Sequence, residues 1–241
     1  MNEFSRLQSD WLDKHLLGTF RASPNMLTSP PTEYMSRQTF DGHVQSLKTS
    51  FKTSGTVNED VYAVIINSHL YDSWKRERNP ITPTLEKFLN GQEEINLSKP
   101  VCIAGAHTRM AMEELSKDFP NAKKWKTMTF KAFICRGTEE DKRLLRILGN
   151  SNNVKNKVNL KQSFAQIVEG MHNQGLDVLE NAAGGDPGHE AMRQFKEDTE
   201  RSLDIPPGSV GQLWQLAKRT GKVWKLLKKL FDRLHSEANL N

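Results

Sequence analysis

Between Val101 and Pro120 the chain runs through four apolar residues, Val101-Cys102-Ile103-Ala104, then Gly105, then Met110, Met112 and Leu115 at helical spacing. Four residues are too few for a helix, and glycine is the residue that turns the backbone most freely, so the segment reads strand, turn, helix. Two other runs are of the same kind. Val61-Tyr62-Ala63-Val64-Ile65-Ile66 is β-branched and bounded by polar residues. In the segment 128–135, Met128, Phe130, Ala132 and Ile134 alternate with Thr129, Lys131, Phe133 and Cys135. Three strands separated by helices predict an α/β (α+β) unit with a small mixed sheet.

Helical spacing of Phe4, Leu7, Trp11, Leu12 and Leu16 predicts a helix over 3–17, with Gly18 as its stop and a Pro-containing connector over 21–33. Asp41 is placed to cap a helix that buries Val44, Leu47 and Phe51 and ends at Gly55. Residues 71–97 read as an insertion between two strands, holding a short helix around Leu85, Phe88 and Leu89. A helix over 138–149 opens with Glu139, Glu140 and Asp141 at its positive end. A polar loop from Asn150 to Lys157 is expected after it, then an all-helical region broken near 182–188 and 206–208. The expected organisation is a leading helix and connector over 1–37, an α/β domain over 38–158 and a helical region over 159–241.

Composition excludes several classes. With 36% apolar and 26% charged residues the chain is globular, and it has no run of the roughly 18 apolar residues a membrane span requires. The acid-bearing N-terminus is not a signal peptide, and Cys102 and Cys135 lack metal-ligand spacing. A soluble intracellular protein with reduced thiols and no membrane partner is expected. Lys+Arg 34 against Asp+Glu 29 gives a net charge of +5, and the excess gathers at the C-terminus. There Lys218, Arg219, Lys222, Lys225, Lys228, Lys229 and Arg233 surround an apolar stripe of Leu213, Trp214, Leu216, Ala217, Val223, Leu226, Leu227, Leu230 and Leu234. Gly221 divides the stretch into two helices, a layout compatible with helix-turn-helix. Two readings stay open: a DNA-backbone contact, or an amphipathic helix packed on the domain or on a second copy.

The Gly105-Ala106-His107-Thr108-Arg109 junction has the chemistry of an anion pocket, because a helix start aims N–H groups outward beside a histidine and an arginine. The plainer alternative is a turn in which His107 caps or packs and Arg109 is solvated. The Asn150–Lys157 run, likewise, is either a ligand-binding segment or a polar inter-helix loop.

Taken in order, three blocks resemble the ParB/sulfiredoxin superfamily over roughly residues 38–170. Leu47-Lys48-Thr49-Ser50-Phe51-Lys52-Thr53-Ser54-Gly55 is similar to its first box, L-x-x-S-I-x-x-x-G. Gly105 to Ala111 is similar to the phosphate-binding turn, G-E-R-R-x-R-A in ParB and G-C-H-R in sulfiredoxin. Ser151-Asn152-Asn153-Val154-Lys155 with Val158-Asn159-Leu160 is similar to E-N-x-x-R…L-N-P. Ala106 stands where sulfiredoxin has its catalytic cysteine, so sulfinic acid reduction is not implied. Ser151 stands where the family has Glu, which removes an anchor for metal and water, and Lys155 stands for Arg.

The resemblance implies a ParB/sulfiredoxin-like domain binding a nucleoside triphosphate, with CTP and Mg²⁺ expected. Gly105 and Ala106 would allow close backbone approach, and His107, Thr108 and Arg109 would meet the phosphates. Asn152 would hold metal or phosphate, and Lys155 would supply a counter-charge. Lys218, Arg219, Lys222, Lys225, Lys228 and Lys229 would contact DNA, with a homodimer possible. A metal-dependent nuclease or phosphotransferase of the ParB-like group, and a degenerate interaction module, are the alternatives.

Overall fold

A computed structural model describes residues 3–31, 41–55, 57, 61–77, 81–92, 99–155, 164–181, 187–203, 205–206 and 208–237. They form two compact units, one built from Met1–Pro30 and Thr39–Leu145, the other from Pro31–Gln38 and Arg146–Asn241, so that one boundary falls inside a helix.

The first unit is a mixed four-stranded sheet with helices around it, the α+β architecture the sequence predicts. In chain order it contains α1 (Glu3–His15), β1 (Leu16–Ala22), a 3-10 turn at Pro24–Met26, α2 (Asp41–Ser54), β2 (Tyr62–Ile66), α3 (Ser68–Glu77), α4 (Ile81–Leu89), β3 (Val101–Ala104), α5 (Ala106–Asp118) and β4 (Met128–Cys135). The strand order is β1-β4-β2-β3, with β4 and β2 parallel and the other pairs antiparallel. Phe130, Ala132 and Ile134 share a core with Ala63 and Ile65 of β2 and with Val44, Leu47, Phe51, Met112 and Leu115 of α2 and α5. The first-box helix is therefore packed on the helix that follows the Gly105 turn. On the other side of β4, Phe133 meets Trp11 of α1 and Tyr62 of β2, with ring centroids 6.1 and 5.7 Å apart. Phe133 and Cys135 are thus as buried as their alternating partners.

Two expectations are corrected. Gly18 does not stop a helix: it lies within a fourth strand, β1, where the register slips between Leu16 and Gly18 before Phe20 pairs with Phe130. The bulge breaks the alternation that marks a strand in sequence. The polar run after residue 149 is not a loop as far as Lys155, because α6 spans Glu139–Lys155. Residues 156 and 157 lie outside the described residues.

The second unit contains the C-terminal part of α6 with α7 (Phe164–Asn181), α8 (Pro187–Leu203), α9 (Ser209–Ala217) and α10 (Gly221–Glu237). Val168, Met171, Phe195, Val210, Leu213, Trp214 and Phe231 form its core. Polar α6 residues are used here: Arg146 Nη1 lies 3.2 Å from Asp177 Oδ2 of α7, and Asn150 Nδ2 donates to Ser202 Oγ of α8 at 3.2 Å. These partners explain why an Asn-bearing segment stays helical although its local propensity favours a turn.

Burial opposes charge twice in this unit. His172 stacks on Trp224, with centroids 3.6 Å apart, and its Nδ1 donates to Ala217 O at 2.6 Å. Burial holds its pKa below the ordinary 6.5. Glu169 is pushed above its ordinary 4.5, by burial first and the Asp232 charge second, with Lys228 opposing. Its Oε1 accepts no hydrogen bond. The two signs differ. With His172 lowered, the unfolded chain takes the proton first, so stability falls as pH drops through about 6.5. With Glu169 raised, the folded chain keeps its proton longer, so stability falls as pH rises above about 4.5. Glu169→Gln is therefore expected to stabilise at pH 7 and to be near neutral at pH 4, as read by urea midpoints at both values. Equal effects at the two pH values would contradict the assignment.

Candidate phosphate-binding turn and basic helix face

Gly105 has φ 79° and ψ 28°, the left-handed region that glycine enters without strain, and it is the N-cap of α5. Its carbonyl accepts from Arg109 N at 2.9 Å, which closes the first turn. A helix start carries N–H groups without intrahelical acceptors, and in α5, of 13 residues, these stand beside a partly exposed Gly105 and Ala106.

The next three side chains are committed to the interior. Thr108 is fully buried, and His107 is buried edge-on to His43 of α2, centroids 4.9 Å apart. Arg109 is only 8% exposed. Its Nη1 donates to Glu113 Oε2 at 3.1 Å and Leu27 O at 3.4 Å, and its Nη2 donates to Ser29 Oγ at 3.1 Å. Arg109 thus ties the 27–29 segment to α5, beside the bridge between Thr28 and Val101 on the edge of β3. It is neither a solvated helix residue nor an uncommitted guanidinium. Lys117, and less so Arg109, hold the Glu113 carboxyl below its ordinary value.

Behind the turn, Lys48 of the first box is 8% exposed and bridges Glu114 at 2.8 Å and Asp118 at 2.9 Å. The hydrogen bond to Glu114 raises the Lys48 pKa. No pattern in the sequence singles out this α2–α5 clamp, because Lys48 and Glu114 are 66 residues apart. Burial pushes Cys102 and Cys135 up to about 12, so both thiols are unreactive at neutral pH.

Asn152 and Lys155 lie in the last turn of α6, and their side chains fall outside the described residues. Among the described residues no group of three or more His, Cys, Asp and Glu is placed to hold a metal, and no helix is long and apolar enough to cross a membrane.

All six expected DNA-contact residues, Lys218, Arg219, Lys222, Lys225, Lys228 and Lys229, are exposed. Gly221 does separate two helices, but the apolar stripe is not one surface. Leu213, Trp214 and Ala217 are buried, and α10 packs through Trp224, Leu227 and Phe231. Val223, Leu226 and Leu230 instead remain 52%, 67% and 51% exposed. Spaced three and four apart, they form an aliphatic row beside Lys222, Lys229 and Arg233. No family model matches the chain, and neither a curated protein nor a solved structure matches it.

Proposed function

We propose that the first unit is a ParB-like domain binding a nucleoside triphosphate, with CTP and Mg²⁺ the expected ligand, and that the basic face of α9 and α10 contacts DNA. The observation that carries the reading is Gly105: a positive-φ cap between a buried strand and a long helix, with the first-box helix packed behind it. The burial of Arg109 refines the resemblance. The phosphates would be met by the backbone of Gly105 and Ala106, with His107 and Thr108 shaping the turn, and Arg109 would act by bracing it. Asn152 as metal or phosphate ligand and Lys155 as counter-charge enter through the resemblance alone. The lysine row supplies phosphate-backbone affinity, and the Val223-Leu226-Leu230 row supports pairing with a second copy.

The test is a nucleotide thermal-shift screen on the full chain, with and without duplex DNA, repeated on Ala106→Asp. A carboxylate at the first position of a helix suits its dipole, so this variant keeps its fold while repelling a phosphate. CTP with Mg²⁺ is expected to raise the melting temperature of the parent and not of the variant. No response to any nucleoside triphosphate, or an equal response in Ala106→Asp, overturns the reading.

A further inference from the structure

The parallel strands β2 and β4 end at Ile66 and Cys135, side by side. The Gly105 turn lies at the opposite end of the sheet, where Ala104 pairs with Tyr62 at the start of β2. Around the Cys135 end is a cleft of about 480 Å³, lined by Trp11, Lys14 and His15 of α1, Tyr71 and Lys75 of α3, and the Arg136–Leu144 stretch. That volume is of the order of an amino acid or dipeptide, and the ends of parallel strands are where open sheets take small ligands.

Its floor is a stack of rings. His15 lies between Trp11, at 4.4 Å and 16°, and Tyr71, at 5.5 Å and 22°. His15 Nδ1 donates to Trp11 O at 2.7 Å, which fixes the tautomer and leaves Nε2 as an acceptor. Burial lowers the His15 pKa, so the ring is neutral at pH 7. Among the described residues Nε2 meets no donor: Asp141 Oδ1 stands 3.9 Å away, and it too is an acceptor. Asp141 Oδ1 takes one hydrogen bond, from Trp11 Nε1 at 3.1 Å, and so has a lone pair to spare. Two acceptors on residues 9% and 7% exposed therefore converge on the cleft, with no donor between them among the described residues.

The charges on the walls give the second half of the ligand. Lys14, Lys75 and Arg136 oppose Asp10, Glu140 and Asp141, three against three, so the cleft does not suit a polyanion. Arg136 is neutralised by Asp72 at 2.6 Å, and Lys75 Nζ donates to Lys14 O at 3.2 Å. Among the described residues, Lys14 and Glu140 have no ion pair, and they stand on different helices, α1 and α6. The negative end of the α1 dipole also falls at Lys14 and His15, where a cation is favoured.

We propose that this cleft binds a small zwitterion, a free amino acid or dipeptide. Its ammonium sits between His15 Nε2 and Asp141 Oδ1 on the Glu140 side, and its carboxylate meets Lys14. The site is independent of the nucleotide reading.

The test is calorimetric titration of the full chain with the free amino acids and the glycyl dipeptides, each binder being rerun as its N-acetyl and C-amide derivative. At least one zwitterion is expected to bind, and N-acetylation to weaken it by about tenfold or more, the worth of a charge-assisted hydrogen bond. His15→Phe keeps a ring in the stack and removes Nε2, and the same loss is expected. Lys14→Ala and Glu140→Ala alter exposed side chains only, and each is expected to weaken binding while leaving the melting temperature unchanged; they keep the test decisive if His15→Phe misfolds. Ala106→Asp is expected to have no effect here. Absence of binding by the whole panel, binding indifferent to N-acetylation, or binding unchanged in both Lys14→Ala and Glu140→Ala overturns the proposal.

Discussion

Asp141→Ala is expected to destabilise the first unit by about 2–5 kcal/mol, from a cap worth roughly 1–2 and an orphaned indole worth roughly 1–3. Asp141 is 7% exposed and holds three donors from two elements. Its Oδ2 accepts from Gly137 N and Thr138 N, both at 3.1 Å, and Thr138 Oγ1 accepts in return from Asp141 N at 3.1 Å. That reciprocal arrangement is a capping box, and it starts α6 where β4 ends. Its Oδ1 accepts from Trp11 Nε1, whose side chain is only 6% exposed. Removing the carboxylate leaves the Gly137 and Thr138 amides to water, since these positions are accessible, whereas the indole N–H loses its acceptor in a residue only 6% exposed. Thermal melting should fall by about 10 °C. Asp141→Asn, which keeps an acceptor and loses the charge, should cost roughly half as much. A double-mutant cycle with Trp11→Phe separates the two parts, because only the indole part is shared. A loss below about 1 kcal/mol in Asp141→Ala would show that the carboxylate joins α1 to α6 only in geometry.

The same residue shows how far the sequence could be read. Asp141 was legible as an acid in the first turn of a helix, which is a local signal. That it also holds Trp11, 130 positions earlier, was not legible, because no spacing rule links residues brought together by a sheet. The strands after Val61, Val101 and Met128 were readable because each runs uninterrupted. β1 was not: the irregularity between Leu16 and Gly18 shifts its register, and only Phe20 and Ala22 are left to alternate with Thr19 and Arg21. Asn150, Ser151, Asn152 and Asn153 favour turns, so the sequence predicts that α6 ends at 149, whereas the structure gives Asn150 a buried partner in Ser202. At the Gly105 turn the backbone was readable, since a glycine at that junction predicts the conformation found. The fate of Arg109 was not. Its partners Leu27 and Ser29 lie about 80 residues upstream, in a connector whose path the sequence does not encode locally. On α10, periodicity identified an amphipathic helix, and of its aliphatic stripe Leu227 packs on the core while Val223, Leu226 and Leu230 stay exposed. Trp224 and Phe231 outweigh Val223, Leu226 and Leu230 because large rings bury more area per residue.

Gly175→Ala reverses a propensity rule and so tests the packing of the second unit directly. Helix propensity alone makes alanine better than glycine inside a helix by about 1 kcal/mol, and Gly175 is inside α7. The structure predicts the opposite sign. A Cβ at Gly175 would lie 2.6 Å from Cη2 of Trp214, closer still to Cζ3, and 3.2 Å from Cε1 of Phe195. Both rings are 5% exposed and meet edge to face, centroids 6.0 Å apart, so neither can swing into solvent without opening the core. The absence of a side chain at Gly175 is what lets α7 close on α9 and take Trp214 against its backbone. Overpacking costs about 1–3 kcal/mol or more, and contacts this close to two buried rings put Gly175→Ala at the upper end, which leaves a net loss of about 2 kcal/mol after the propensity gain. Gly211→Ala is the matched control. Gly211 lies in α9 with nothing within 4 Å of its Cβ position, and there the propensity term acts alone, so a gain of up to about 1 kcal/mol is expected. Urea unfolding followed by tryptophan fluorescence reads both, with opposite shifts in midpoint. If Gly175→Ala also stabilises, α7 does not approach α9 as closely as Trp214 requires.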